Sequence, residues 1–296
     1  MNNKLYVGDN LSIMKNLQSE STDLVATDIP FMSQRDYGEF DDRWSSLKEF
    51  IKFMKLRLIQ IHRLLKPTGS IYVHCDPTIS HYLKIEIDKI FHIEDFRNEI
   101  IWHYNKWSNS SKWFQKNHDS ILYYSKTENY TFNNLYGEMT KDMKQMRDRG
   151  YNTGTYAGGR MLMVYDANNP KAKLKIESGK YKRIYYIENQ KNGVPLSSCW
   201  NDIKRLGSNS GEQTGYPTQK PMALYQRIIK ASSNEGDLVL DPFVGSGTTL
   251  DAAQSLNRRW IGIDKNANAV DYIKKRFDKY GLLQPDYEVI YANQSI

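Results

Sequence analysis

The stretch Leu238-Val-Leu-Asp-Pro-Phe-Val-Gly-Ser-Gly-Thr-Thr249 narrows the possible folds of this chain more than any other. An apolar run reaches two glycines two positions apart and then continues into a helix-forming sequence. Gly245 and Gly247 let the backbone turn sharply and approach a ligand closely, while Thr248 and Thr249 suit the first turn of the helix that follows. Strand, glycine turn and helix together make a ligand-binding βα unit. The flanking residues exclude two common ligands of such a turn. A dinucleotide fingerprint needs a third glycine where Leu250 stands, and a Walker A loop needs Lys-Ser/Thr where this chain has Thr248-Thr249.

What remains is an acid at the strand end, Asp241, followed by Pro242 and Phe243. A second strand, Trp260-Ile-Gly-Ile-Asp264, ends in another carboxylate 23 residues further on. An acid at the tip of the second strand is where a doubly wound fold holds the two ribose hydroxyls of a nucleoside. A bare Gly-x-Gly after a strand is more often a plain turn. With both acids and Asp-Pro-Phe in place, the pattern resembles the S-adenosylmethionine site of methyltransferases.

From the N-terminus, Lys4-Leu-Tyr-Val7 reads as a strand ended by Gly8-Asp9-Asn10. Leu24-Val-Ala-Thr27 reads as a second strand that delivers Asp28-Ile29-Pro30-Phe31 at its carboxyl end, where open α/β sheets place their chemistry. Asp28-Ile-Pro-Phe31 is similar to the Asp-Pro-Pro-Tyr/Phe motif of DNA amino-methyltransferases, which methylate exocyclic amino groups of adenine or cytosine. Asp36-Tyr-Gly-Glu-Phe-Asp-Asp-Arg-Trp44, Leu64-Leu-Lys-Pro-Thr-Gly-Ser-Ile-Tyr-Val-His-Cys-Asp76, Asn117-His-Asp-Ser-Ile-Leu-Tyr-Tyr124 and Tyr216-Pro-Thr-Gln-Lys-Pro221 also resemble that family. With the catalytic motif ahead of the glycine turn, the order is that of its permuted β group.

The resemblance implies an α/β fold with a doubly wound, mostly parallel sheet of the S-adenosylmethionine-dependent methyltransferase type, circularly permuted. It also implies an inserted target-recognition region. On that basis residues 1–136 form the catalytic half, 137–215 the recognition region and 216–296 the cofactor half. Asp9 is expected to face the adenine of the cofactor. Thr218, Gln219 and Lys220, expected to open a helix that Pro221 also suits, would line its methionine end. Asp241, Pro242, Phe243, Gly245, Gly247, Thr248 and Asp264 complete the cofactor set.

An exocyclic amine conjugated into a base ring is a poor nucleophile because its lone pair is delocalised. A carboxylate accepting one N–H and a backbone carbonyl accepting the other favour a pyramidal nitrogen as the methyl arrives. By resemblance Asp28 is the carboxylate, Ile29 offers the carbonyl, Pro30 holds its extended geometry, and Phe31 stacks on a base flipped out of the duplex. The family has proline where this chain has Ile29, and commonly asparagine where it has Met32. An acid at the first motif position resembles adenine-specific members. Cytosine amino-methylation is the alternative substrate, and a non-catalytic subunit that binds cofactor and DNA is the alternative class. The charged loop 32–44 is expected to order over the flipped base.

The formal charge is +7, and residues 137–215 carry 14 Lys and Arg against 8 Asp and Glu, leaving the remainder nearly neutral. A basic segment with Tyr151, Tyr156, Tyr165, Tyr181, Tyr185 and Tyr186 reads, beside a methyltransferase site, as a module that meets phosphates and bases. Double-stranded DNA is the expected partner, and the family adds a homodimer and a companion restriction endonuclease as candidates. Cys75 and Cys199 make no Cys-x-x-Cys pair, and His74-Cys75 with His81 has no zinc spacing, so no metal is expected. No apolar run reaches 18 residues and the start lacks signal-peptide character, so a cytoplasmic location is expected.

Around these motifs, residues 50–65, 79–91, 222–231, 250–256 and 267–277 carry apolar positions at helical spacing, with Ser45 and Ser46 placed to cap the first. Residues 69–74 read as a strand, 160–165 and 183–187 as short strands, and 150–159 and 206–215 as loose linkers.

Overall fold

In the computed structural model, residues 3–106, 112–138, 141–186, 194–207, 210–279 and 285–292 are described. The chain divides into a larger unit, Met1–Asn133 with Ser198–Ile296, and a smaller one, Asn134–Ser197.

The first part of the larger unit runs β1 (Asn3–Val7), α1 (Asn10–Asn16), β2 (Thr22–Asp28), α2 (Leu47–Leu64), β3 (Leu65–Cys75), α3 (Pro77–Phe91), β4 (Phe96–His103) and β5 (His118–Ser125). Local chemistry sets several of these starts. Asp9 caps α1 by accepting from the Ser12 N–H, and Asp76 caps α3 ahead of Pro77. At α2, Ser46 accepts from the Glu49 N–H at 3.2 Å while the Glu49 carboxylate reaches back to Ser45, a reciprocal cap of the kind that begins many helices.

The smaller unit holds β6 (Tyr136–Gly137), α4 (Lys141–Arg149), β7 (Tyr151–Tyr156), β8 (Gly159–Val164), α5 (Pro170–Glu177), β9 (Arg183–Tyr186) and β10 (Val194–Pro195). β7 and β8 form an antiparallel pair, with β9 parallel to β8. Leu162, Val164 and Ala172 form a small core under Tyr151, Ile176, Tyr181 and Ile184. The stretch expected to be a loose linker at 150–159 is mostly strand: Tyr151, Thr153 and Tyr156 pair across β8, which its glycines do not prevent. Residue 187, expected to end the last short strand, lies outside the described residues.

The larger unit resumes with β11 (Cys199–Trp200), α6 (Met222–Ser232), β12 (Leu238–Asp241), α7 (Thr248–Ser255), β13 (Arg259–Asp264), α8 (Ala269–Phe277) and β14 (Tyr287–Tyr291). Its sheet has the order β11-β4-β5-β3-β2-β12-β13-β1-β14. β5 pairs antiparallel with β3 and β4, and every other pairing is parallel. This is the expected mostly parallel α/β sheet.

Alternation along the strands builds two cores, because successive side chains point to opposite faces. Leu24 and Ala26 join α6, α7 and α8 on one face through Tyr225, Leu250 and Phe277. Val25 joins α1, α2 and α3 on the other through Met14, Phe50 and Leu83. At the centre, β2 leads outward to β3 on one side while its neighbour β12 leads to β13 on the other. A crevice above the carboxyl ends of β2 and β12 therefore lies where the winding reverses.

Candidate active site

Four acids mark that crevice: Asp28 ends β2, Asp241 ends β12, Asp264 ends β13 and Asp9 follows β1. They share one cavity of about 1140 Å³, which all the expected site residues line except Gly247. Gly247 acts one step back. Its φ of +79° starts α7, and a Cβ there would stand 2.6 Å from Ile273. Gly245, with φ +49°, donates its N–H to Asp264 Oδ2 at 2.8 Å, and the Asn266 N–H donates to Oδ1 at 2.8 Å. Burial raises the Asp264 carboxyl above its ordinary range, and these two amides offset only part of the rise. The expected helix opening at 218–220 is corrected: α6 begins at Met222 with extended Pro221 as its cap, so Thr218, Gln219 and Lys220 lie in the preceding turn.

Asp241 is buried, and its carboxylate accepts from the Thr27 hydroxyl at 2.8 Å and the Phe243 N–H at 3.1 Å. Burial pushes its pKa up to about 7. The hydroxyl and amide hydrogen bonds offset only part of that rise. Phe243 and Phe53 stand with ring centroids 6.2 Å apart and offer an apolar wall to a flat heterocycle.

Asp9 is committed within the protein. One oxygen caps α1, and the other takes a 2.8 Å contact from Arg57. Arg57 lies 3.3 Å over the Phe53 ring and also donates to Asn10 at 2.6 Å. Burial draws the guanidinium down to about 10, with Asp9 opposing the shift.

The densest arrangement surrounds Asp28. Lys220 donates to both of its oxygens, at 2.7 and 3.0 Å, and stands 4.5 Å over the Phe31 ring. On the other side is His74, whose Nδ1 is 3.5 Å from Asp28 Oδ1 and whose Nε2 is 3.0 Å from Asp119. Tyr104 donates to the second Asp119 oxygen at 2.9 Å. Burial would raise the Asp119 carboxyl, but the hydrogen bond from His74, helped by the Lys220 ammonium and the Tyr104 hydroxyl, holds it below the ordinary range. Ile29 is buried and donates its N–H to the His74 carbonyl at 3.4 Å.

The loop 32–44 is built around the buried Asp42 carboxylate, which accepts from the N–H groups of Met32 and Ser33 and from the Trp44 indole. Glu39 ties the same loop to Asn266, Asn268 and Tyr272 beyond β13.

Sequence reading gave no role to His74, Asp119, Tyr104, Arg57, Asp42 or Glu39. A signal existed for Asp119, a charged residue at the head of the apolar run Ile121-Leu-Tyr-Tyr124, but nothing local linked it to His74. Among the described residues no cluster of His, Cys, Asp and Glu is arranged to hold a metal, and no helix is long and apolar enough to cross a membrane.

A family model described as DNA methylase matches residues 22–275 of this chain. The chain belongs to that family, the N6/N4 DNA methylases. It is 30% identical over 279 residues to the type II methyltransferase M.HpaI of Haemophilus parainfluenzae, covering 94% of this chain and 75% of that one. Identity to the DNA adenine methyltransferase YhdJ of Escherichia coli (strain K12) is 31% over 273 residues, covering 92% and 81%. Among solved structures, TTHA0409 of Thermus thermophilus, complexed with S-adenosyl-L-methionine, superposes with a TM-score of 0.57. That match covers 99% of each chain at 18% identity and is a likeness of fold.

Proposed function

We propose that this methylase is a site-specific DNA methyltransferase that moves the methyl group of S-adenosylmethionine to the exocyclic amino group of adenine in a flipped-out base. The observation that carries this reading is the Asp28 carboxylate, set at the carboxyl end of β2 beside Phe31 in a cavity it shares with Asp241 and Asp264. A volume near 1140 Å³ exceeds that of an ordinary small-molecule site and suits two ligands together, a nucleoside cofactor and a base.

The residues present fit the cofactor. Asp264 would take the ribose hydroxyls, and the Phe53 and Phe243 rings the adenine. When bound, the cofactor supplies an electrophilic methyl group that needs only alignment with the amine. Asp28 then accepts one amino N–H and the Ile29 carbonyl the other, while Phe31 stacks on the base. Adenine is favoured by the acid at the first motif position and by the resemblance to YhdJ.

The basic, tyrosine-rich segment 137–215 serves as the target-recognition region, between the catalytic half at 1–136 and the cofactor half at 216–296. The type II relatives support a companion restriction endonuclease. A homodimer is supported by the exposed Leu56 and Ile59 of α2 and Tyr82 and Ile85 of α3.

The test is to incubate the protein with unmethylated genomic DNA and isotopically labelled S-adenosylmethionine, digest the DNA to nucleosides and identify the labelled species by mass spectrometry. Label on the adenine amine is expected. Label on the cytosine amine would keep the mechanism and change the substrate, and no label from a preparation that binds the cofactor would overturn the catalytic reading.

A further inference from the structure

His74 is 1% exposed and has no task in the methyl transfer described so far, yet it stands directly behind Asp28. A buried histidine that only fills a core needs a single partner for its N–H. This one lies between two carboxylates from different strands, Asp28 of β2 at 3.5 Å from Nδ1 and Asp119 of β5 at 3.0 Å from Nε2. The other groups facing it are the Tyr225 hydroxyl of α6, 3.5 Å from Nδ1, and the rings of Phe31 and Trp102. Burial raises the Tyr225 hydroxyl well above its ordinary range, so it stays protonated, and its 3.5 Å contact with Nδ1 takes its direction from the histidine tautomer. Asp119, which accepts from Tyr104 on its other oxygen, takes the Nε2 proton. This arrangement leaves Nδ1 as a base turned toward Asp28.

We infer that His74, oriented by Asp119, takes over from Asp28 the proton that the methylated amine gives up. The inference rests on the methyltransferase reading. The amine nitrogen uses its lone pair for the new N–C bond, and the pair that bound the methyl stays on the donor sulfur. An N–H bond of the now cationic nitrogen then breaks, its electron pair returning to nitrogen and its proton passing to Asp28. Asp28 hands that proton to His74 Nδ1 and is again a carboxylate, while the imidazolium lies between two anions. After the product leaves, the proton returns through Asp28 to water in the cavity. Lys220 explains why a relay is needed: its ammonium lies against both oxygens of Asp28, so a proton arriving there meets a fixed positive charge and is passed on. His74 and Asp119 act through Asp28 and are positioning residues.

The experiment pairs ¹⁵N-histidine NMR of the full chain with single-turnover methylation across pH, for wild type, Asp119→Asn and His74→Gln. Wild type is expected to carry its proton on Nε2. In Asp119→Asn the side-chain amide faces Nε2 as a donor and moves the proton to Nδ1, where it blocks the transfer, as orienting acids do in other buried acid–histidine pairs. Single-turnover methylation should fall about 100-fold in both variants, with the acid limb of the wild-type pH profile lost and cofactor and DNA affinities within about threefold. His74→Gln carries the test if Asp119→Asn does not fold. A wild-type Nδ1–H tautomer, or a folded variant methylating within about threefold of wild type, overturns the relay alone. A wild type that binds the cofactor but transfers no methyl overturns the methyltransferase reading, and the relay falls with it.

Discussion

Lys220 sets its ammonium against both carboxylate oxygens of Asp28, at 2.7 and 3.0 Å, although 192 residues separate the two in sequence. By resemblance alone Lys220 would line the methionine end of the cofactor. Its observed partner makes a different role testable. Lys220→Met should lower single-turnover methylation by about tenfold or more, with the cofactor Kd changed less than about threefold. A Kd raised tenfold with an unchanged rate would return Lys220 to the cofactor.

Asp241 links the site to stability. Its pKa, about 7 in the fold against 3.8 for the unperturbed group, means the folded chain holds this proton more tightly than the unfolded one. The stability associated with that proton is fully present below about pH 4 and is lost as pH rises toward 7. Asp241→Asn keeps an oxygen for the Thr27 hydroxyl and the Phe243 N–H without the buried charge. Thermal melts of the cofactor-free protein should show the variant more stable by roughly 2–4 kcal/mol near pH 8, with the difference closing toward pH 4. A pH-independent difference would remove Asp241 as its source.

Ile29 is 3% exposed and belongs to the core cluster that residues of α2 and α3 also join. Ile29→Ala should cost about 2–4 kcal/mol through the cavity it leaves. Ile29→Pro, which introduces the proline of the related motif, loses the N–H donated to the His74 carbonyl. It should cost about 1 kcal/mol while keeping or raising the methylation rate. Denaturant melts and initial rates check both, and a rate falling more than tenfold in Ile29→Pro would show that the site is built around isoleucine.

Asp42 supports the loop after the catalytic motif. Its carboxylate accepts from three donors, next to Met32 and Gln34 in the left-handed region at φ 56° and 60°. Asp42→Ala leaves those donors without their acceptor. Limited proteolysis within 32–44 should accelerate at least about tenfold, corresponding to the loss of roughly 1–3 kcal/mol of local stability. Unchanged cleavage would show that Glu39 and its partners hold the loop without Asp42.

In the smaller unit, Arg183 stacks 4.5 Å over the Tyr156 ring and Lys175 stands 5.8 Å over that of Tyr151. Neutralising Lys173, Lys175, Lys182 and Arg183 together should weaken DNA binding and flatten its salt dependence by about 0.9 in log–log slope for each phosphate no longer neutralised. A slope equal to that of wild type, measured by titration at several salt concentrations, would place the electrostatic footprint elsewhere.

The local structure around the cavity was legible because its signals are local. A glycine that must take positive φ, an acid at a strand tip and a cap before a helix each act within a few residues. Gly245, Gly247, Asp264 and Ser46 accordingly stand where the sequence led one to expect. Asp9 entered the expected set as a cofactor contact, and its geometry adds an internal task, holding Arg57 over Phe53. The second arm of the hairpin read as a strand at 160–165, but the first, Tyr151–Tyr156, was hidden because glycines and short polar residues read as linker until a partner strand supplies their hydrogen bonds.

The sequence by itself determined the alternation that splits the sheet into two cores, the glycine turn after β12 and the placing of acids at strand ends. These follow from backbone sterics and side-chain periodicity. Tertiary structure alone decided which of the charged groups meet. Asp28 lies beside His74 because β2 and β3 pair in parallel at that register, and His74 reaches Asp119 because β5 runs antiparallel along the other side of β3. Lys220 closes the set from the turn before α6. Such contacts depend on strand order and register, which only the packing of the whole sheet establishes.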